Sequence, residues 1–246
     1  MAQPFERPLL DHPGLVCGAT TLAAKQHLFV KQHTDGTVII ASAIGDQCLG
    51  VLQDAPAVGE SALVEAKGFS KITLGATLVY GDRVVSGSDG KAIKPTGADQ
   101  FIMGTIVQGG ASGELGTIRL ETPYKTQIDW WDFPLALVAI ANGDVLTGWT
   151  PGYAGKILAV EAQVTQPATT GSKLSTLNLE INATNVTGGA VALTSANCTP
   201  IGARVAGSAV TAADEFDADD TIAIEAASTT AFVEGWVNVK VKVLKY

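Results

Sequence analysis

The chain has 246 residues, of which 46% are hydrophobic, 16% charged and 6% aromatic, with 27 glycines and a net charge of −8. This composition supplies a core for one large or two small domains built of short Val-, Ile- and Leu-rich strands, and it excludes an architecture of long charged helices. The acidic balance, without any Lys/Arg cluster, argues against a nucleic-acid partner, and no run reaches the ~18 apolar residues of a membrane span.

Residues 1–21 read as an extended arm. Pro4, Pro8 and Pro13 fix φ and remove three backbone donors, which disfavours helix and sheet. Two readings stay open for it: a frayed terminus, or an arm that orders against a partner by adding to a neighbour's strand edge. Glu6, Arg7 and Asp11 interrupt what would have to be an unbroken apolar segment, so no secretion signal is expected.

From Lys25 the pattern turns strand-like. QHLFVKQH and TVIIASA flank Asp35-Gly36, a hairpin signal, and DRVVS and KAIKP flank Asp89-Gly90 in the same manner. The stretch Ala76–Tyr80 fits either a strand or a single helical turn. Between and after these hairpins the chain repeats itself. Cys48–Ala66, CLGVLQDAPAVGESALVEA, matches Ile102–Leu120, IMGTIVQGGASGELGTIRL, without a gap, so that Gly50 falls on Gly104 and Gly59-Glu60 on Gly113-Glu114. Such a unit cannot bury its own apolar face and needs a second copy or a neighbouring subunit. The two copies are therefore expected to be halves of one small, barrel-like β-domain over residues 22–122.

Residues 123–134, TPYKTQIDWWDFP with its leading Thr122, read as a connector bounded by Pro123 and Pro134. Its aromatics Trp130, Trp131 and Phe133 are expected to make interdomain or subunit contacts, with a sugar-stacking platform as the rarer use of such residues. From Leu135 to Tyr246 the runs LALVAIA, KILAVEAQV, KLSTLNLEI, AVALT, TIAIEA and AFVEGWVNVKVKVL follow. Val237, Val239, Val241 and Val243 alternate with Asn238, Lys240 and Lys242, the mark of half-buried antiparallel strands. These segments predict a β-sandwich of jelly-roll type.

Candidate chemistry is sparse. His12, His27 and His33 are the histidines; the last two, on one strand, would stand ~20 Å apart, too far to share a metal. Cys17, Cys48 and Cys198 are too few and too scattered for a disulfide framework and point to a reducing compartment, with the thiols as small apolar fillers. Gly109–Gly113 lacks the lysine and helix of a phosphate-binding loop. The acidic run with Asp214, Glu215, Asp217, Asp219 and Asp220 offers carboxylates for a calcium ion but lacks the spacing of a dedicated loop, and a solvated turn is the favoured reading. Asn182, Asn185 and Asn197 head N-x-T triplets that matter only in a secretory pathway. The expectation is a non-enzyme with no cofactor and no metal.

On three stretches, GVLQDAPAVGESALVEAKG, KITLGATLVYGDRVVSGSDGKAI and IMGTIVQGGASGELGTIRL, the first ~121 residues resemble the capsid cement, or head decoration, proteins of tailed bacteriophages. The second half lies outside the resemblance and is similar only in architecture to the sandwiches appended to phage head and tail proteins. Together with the strand patterns above, the resemblance gives an all-β virion protein with an N-terminal arm, a small β-barrel-like or β-tulip domain and, outside the resemblance, a C-terminal sandwich. It would be made in the host cytoplasm and bind the outer surface of the head as a homotrimer. Its partners would be the major capsid protein and itself, with no nucleic acid, membrane or cofactor. Residues Pro4, Phe5, Arg7, Pro8, Leu9 and Leu10 of the arm are then candidates for capsid contact. Two other classes stay in play: an adhesin or glycan-binding module using Trp149, Tyr153 or Trp236 of the sandwich, and a hydrolase built on Asp214–Asp220.

Overall fold

The computed structural model describes residues 15–246 and is all-β: antiparallel sheets joined by turns, with a single 3-10 turn at Leu137–Ala139 and no α-helix among the described residues. The chain divides into two compact units, Met1–Thr126 and Gln127–Tyr246.

The first unit holds β1 (Phe29–Gln32), β2 (Val38–Ile40), β3 (Gly50–Leu52), β4 (Val64–Glu65), β5 (Gly68–Thr73), β6 (Arg83–Ser86), β7 (Ala92–Ile93), β8 (Phe101–Gln108) and β9 (Leu115–Lys125). They form two open sheets, in the orders β2-β1-β3-β4 and β5-β9-β8-β6-β7, and no closed barrel is found among the described residues. The two sheets are copies. Leu52 pairs with Val64 and Val51 with Glu65 in the first; Ile106 pairs with Ile118 and Thr105 with Arg119 in the second, at the same offset. The hairpins match as well: Gln32 faces Val38 as Ser86 faces Ala92, and Val30 faces Gly50 as Val84 faces Gly104.

Glycine is required where strands cross closely within each copy. A Cβ on Gly50 would overlap the carbonyl oxygen of Glu65, and one on Gly104 the carbonyl oxygen of the equivalent Arg119. The Gly-Glu pairs are turns, as the glycine of each has positive φ. In the first copy the Glu60 carboxylate accepts the Ala57 N–H at 2.8 Å, and in the second Glu114 accepts that of Ala111 at 2.7 Å.

The repeat is longer than its ungapped core. The Cys17 N–H donates to the Glu60 carbonyl and the Gly59 N–H to the Cys17 carbonyl; Leu74 makes the same two bonds with Glu114 and Gly113. Cys17 and Leu74 also form parallel bridges to the equivalent residues Val38 and Ala92. Leu15–Gly18 thus stands to the first copy as Ile72–Gly75 stands to the second. This corrects the expected arm of residues 1–21: from Leu15 onward the chain is part of the fold, with Cys17 and Leu22 buried in the first copy's core.

The second unit contains β10 (Gln127–Ala136), β11 (Gly143–Trp149), β12 (Gly155–Gln166), β13 (Leu174–Ile181), β14 (Thr184–Asn185), β15 (Val191–Thr194), β16 (Arg204–Ala206), β17 (Glu215–Phe216), β18 (Ile222–Thr230) and β19 (Trp236–Lys245). One sheet runs β10-β19-β12-β16 with β17 also on β12, the other β11-β18-β13-β14 with β15 also on β13. Along the chain β10, β11, β12 and β13 go to alternate sheets, and β16, β18 and β19 alternate again after the β13–β15 pair, which is the winding of a jelly roll. A single core fills the space between the sheets, from Val237, Val239, Val241 and Val243 on one side to Leu177, Leu179, Ile222 and Ile224 on the other.

The segment expected as a connector is strand instead. β9 reaches Lys125 and β10 begins at Gln127, whereas LALVAIA holds the end of β10 and the 3-10 turn. Proline misled in both places for one reason: it is tolerated where the ladder does not need its N–H. Pro123 falls where the β8–β9 register shifts, and Pro134 lies on β10, an edge strand.

Candidate functional site

The arm residues Pro4, Phe5, Arg7, Pro8, Leu9 and Leu10 lie outside the described residues. Of the three aromatics expected at a domain or subunit contact, Trp131 and Phe133 are buried in the second unit's own core. Trp131 packs on Trp149, Tyr153 and Phe216, and its indole N–H donates to the Tyr153 hydroxyl at 2.7 Å. That hydroxyl donates in turn to Asp129 at 2.7 Å. Burial and the neighbouring Asp129 push the phenol up to about 12, so Tyr153 stays a donor at any ordinary pH. Trp149 and Tyr153, weighed as glycan contacts, are thereby absorbed into packing.

Strand alternation sends Trp130 the other way. It is 44% exposed, and the structure places it on the outer face of the β10-β19-β12-β16 sheet. Register lays that face out as rows. Trp130 is level with Lys242 and Ala159; Asp132 with Lys240, Glu161 and Ala206; Pro134 with Asn238, Gln163 and Arg204. One further row along, level with Ala136 and Gln166, stands Trp236, 46% exposed. A strand position is not by itself a core position, and Trp236 occupies the solvent-facing set of its strand with Asn238, Lys240 and Lys242. Between the rings the charges are mostly matched. Asp132 accepts from Lys240 at 2.7 Å and from Asn238 at 2.8 Å, and Arg204 lies 3.3 Å from Glu161. Trp130, Glu161, Arg204 and Lys240 border a shallow depression of about 420 Å³.

The opposite outer face is acidic. Asp144 is level with Glu225, which is level with Asn178. Burial, with Glu225 and Asp144 nearby, raises the Glu180 carboxyl above its ordinary value. The run Asp214–Asp220 is a turn. Asp214 pairs with Lys156 at 3.4 Å, while Asp220 accepts the Asp217 N–H at 2.8 Å and is also bonded by Asn182. No group of three or more His, Cys, Asp or Glu side chains among the described residues could hold a metal ion. His33 pairs with Asp35 at 3.0 Å in the first hairpin turn, and His27 adopts positive φ at the position Gly81 takes in the second copy. All three cysteines are buried and free, and burial pushes the Cys48 thiol up to about 12.

In the first unit the notable surface is one that the copies treat differently. Leu28, Phe29 and Ile40 of the first copy receive the second copy's Asp-Gly turn, with the Phe29 N–H donating to the Gly90 carbonyl at 2.7 Å. At the equivalent positions the second copy carries Asp82, Arg83 and Lys94. Lys94 lies 3.1 Å from Asp82, and Arg83 lies 2.8 Å from Glu121. In the first copy's own turn, a Cβ added to Gly36 would meet nothing within 4 Å. The copies are therefore joined head to tail, and charge closes the second head.

Compared with known proteins, the chain matches no family model and no curated protein.

Proposed function

We propose that this chain is a structural protein of a tailed-phage particle: a cement protein that binds the outer surface of the head and bridges capsomers. The single observation that supports the reading is the head-to-tail duplication of the first unit. The sequence stretches that resemble the cement family supply much of it: the Gly50 and Gly104 crossings, both Gly-Glu turns and the Asp89-Gly90 hairpin that the first copy receives. Two interlocked copies make a compact unit with small-residue turns on its surface, suited to a shape-matched seat between other subunits. The net charge of −8 suits the outside of a shell better than its DNA-facing side. As a homotrimer on the major capsid protein, three modest footprints would act together, each later contact becoming intramolecular.

The test is co-sedimentation of the purified protein with expanded heads that lack it, followed by imaging of the occupied positions. Saturable binding at local three-fold positions is expected. Failure to bind heads of any expansion state would overturn the reading. Because Cys17 and Leu22 belong to the core, the arm is tested by removing residues 1–14 only. That truncation should fold normally and lose head binding, and unchanged binding would remove Pro4–Leu10 as the contact.

A further inference from the structure

We infer that the outer face of the β10-β19-β12-β16 sheet is a binding site for an extended acidic polysaccharide, with Trp130 and Trp236 as its two stacking platforms and Lys242 as the cation that selects carboxylate-bearing sugars. The site is independent of the head-binding reading, since it lies wholly on the second unit.

Three features carry the inference. The first is spacing. Trp130 is level with Lys242 on β19, and Trp236 lies six residues along the same strand, which at the rise of a β-strand puts the rings about 20 Å apart on one face. A single sugar cannot touch both rings, but a linear chain of several can.

The second feature is what surrounds the rings. Hot spots for a protein partner cluster centrally in desolvated apolar pockets. Here the two rings stand at opposite ends of a polar stretch made of Asn238, Gln163, Asp132 and Lys240, with partly exposed Ile128 one row beyond Trp130. Amides and charges at two-residue intervals match a ligand with a hydroxyl-rich edge, while the indole offers an apolar face to the ring of a sugar. Ala159, exposed and level with Trp130 on the far side of Lys242, leaves the sheet low beside the ammonium, so that a sugar reaching across the row from the indole meets no bulky side chain there.

The third feature is charge. Asp132 is engaged by Lys240 and Glu161 by Arg204, whereas Lys242 has no ion-pair partner among the described residues. One uncompensated cation therefore sits beside Trp130 in a protein whose net charge is −8. The other outer face presents Asp144, Glu225 and Glu180 and repels the same polymer. Of the second unit's two outer faces, the acidic chain has one on which to lie.

The experiment uses the full-length protein with polygalacturonate and with its methyl ester, the same polymer without the charges. Affinity electrophoresis should show retardation by polygalacturonate and about tenfold weaker retardation by the ester. Trp130→Ala and Trp236→Ala should each weaken binding about tenfold, the loss typical of removing an anchoring aromatic. Lys242→Gln should make the two polymers bind alike, and Tyr80→Ala, at an 80% exposed aromatic of the first unit, should change nothing. Should an alanine variant fail to fold, polygalacturonate must still shield wild-type tryptophan fluorescence from acrylamide. The inference is overturned if neither polymer binds, if binding ignores both tryptophans, if the ester binds as well as the acid, or if the tryptophan variants change only the oligomeric state, which would make this face a subunit contact.

Discussion

The two copies within the first unit share a backbone and differ in one surface. Their pairings coincide from the Asp-Gly hairpins through the glycine crossings to the Gly-Glu turns. Yet Phe29 of the first copy is fully buried against the second, while its counterpart Arg83 reaches Glu121 at the surface. A head-to-tail contact between like units propagates without limit unless one end is made unable to repeat it. Replacing Leu28, Phe29 and Ile40 by Asp82, Arg83 and Lys94 does this, because seating another turn there would bury two ion pairs at a desolvation cost larger than their attraction repays. The backbone, then, carries the likeness between the copies, and three side chains set the end of the series.

The largest break in the comparison should come from Phe29→Ala, which removes a side chain wholly inside the contact and should cost about 3–5 kcal/mol. The matching Arg83→Ala should cost no more than about 1 kcal/mol, as expected of a surface ion pair. Urea titration followed by far-UV circular dichroism would measure both. All four tryptophans lie in the second unit, so their fluorescence gives a separate internal reference.

Where the copies are alike, mutations should hurt alike. Gly50→Ala and Gly104→Ala each force a Cβ into a neighbouring carbonyl and should each destabilise by about 2–3 kcal/mol. Unequal losses would show that the crossings are not equivalent. The hairpin turns should separate again: Gly36→Ala meets only the strain of its positive φ, about 1 kcal/mol, whereas Gly90→Ala also strikes Ile40 and the Phe29 carbonyl and should cost clearly more.

The smallest effect is on pH dependence. Burial raises the Glu121 carboxyl, but hydrogen bonds from Arg119 and Thr105 and the charge of Arg83 outweigh it and hold the group below its ordinary 4.5. A carboxyl depressed on folding stabilises above its unfolded value and loses that contribution as pH falls through the folded one. Acidification below about pH 4.5 should therefore cost the wild type slightly more than Glu121→Gln. Equal acid sensitivity would mean that the closing ion pair contributes nothing.

Much of this was legible in residues. The core of the repeat, both Asp-Gly hairpins and the alternating strands of the sandwich all follow from spacing, because turn glycines and period-two patterns are local properties. The full length of the repeat was hidden by its offset. Leu15–Gly18 matches Ile72–Gly75 only after a shift three residues longer than that of the glycine core, so the proline-rich start concealed a segment of the first copy. Aligning Cys17-Gly18 with Leu74-Gly75, and noticing that the two Asp-Gly turns keep the repeat's spacing, would have found it. The end of β9 and most of β10 read as a connector because Pro123 and Pro134 look like breakers. Only the sheet shows that one falls in a register shift and the other on an edge.

The candidate glycan face divides in the same way. Alternation within TQIDWWDFP separates Trp130 from Trp131 and Phe133 once the segment is known to be a strand, and the valines of β19 put Trp236 among the outward residues. By itself, then, the sequence determined the all-β class, the turns and the duplication, because each depends on residues close in the chain. The tertiary structure decided which aromatics became core and which became surface, and which copy's head was buried, because those outcomes depend on what lies across a sheet from each residue.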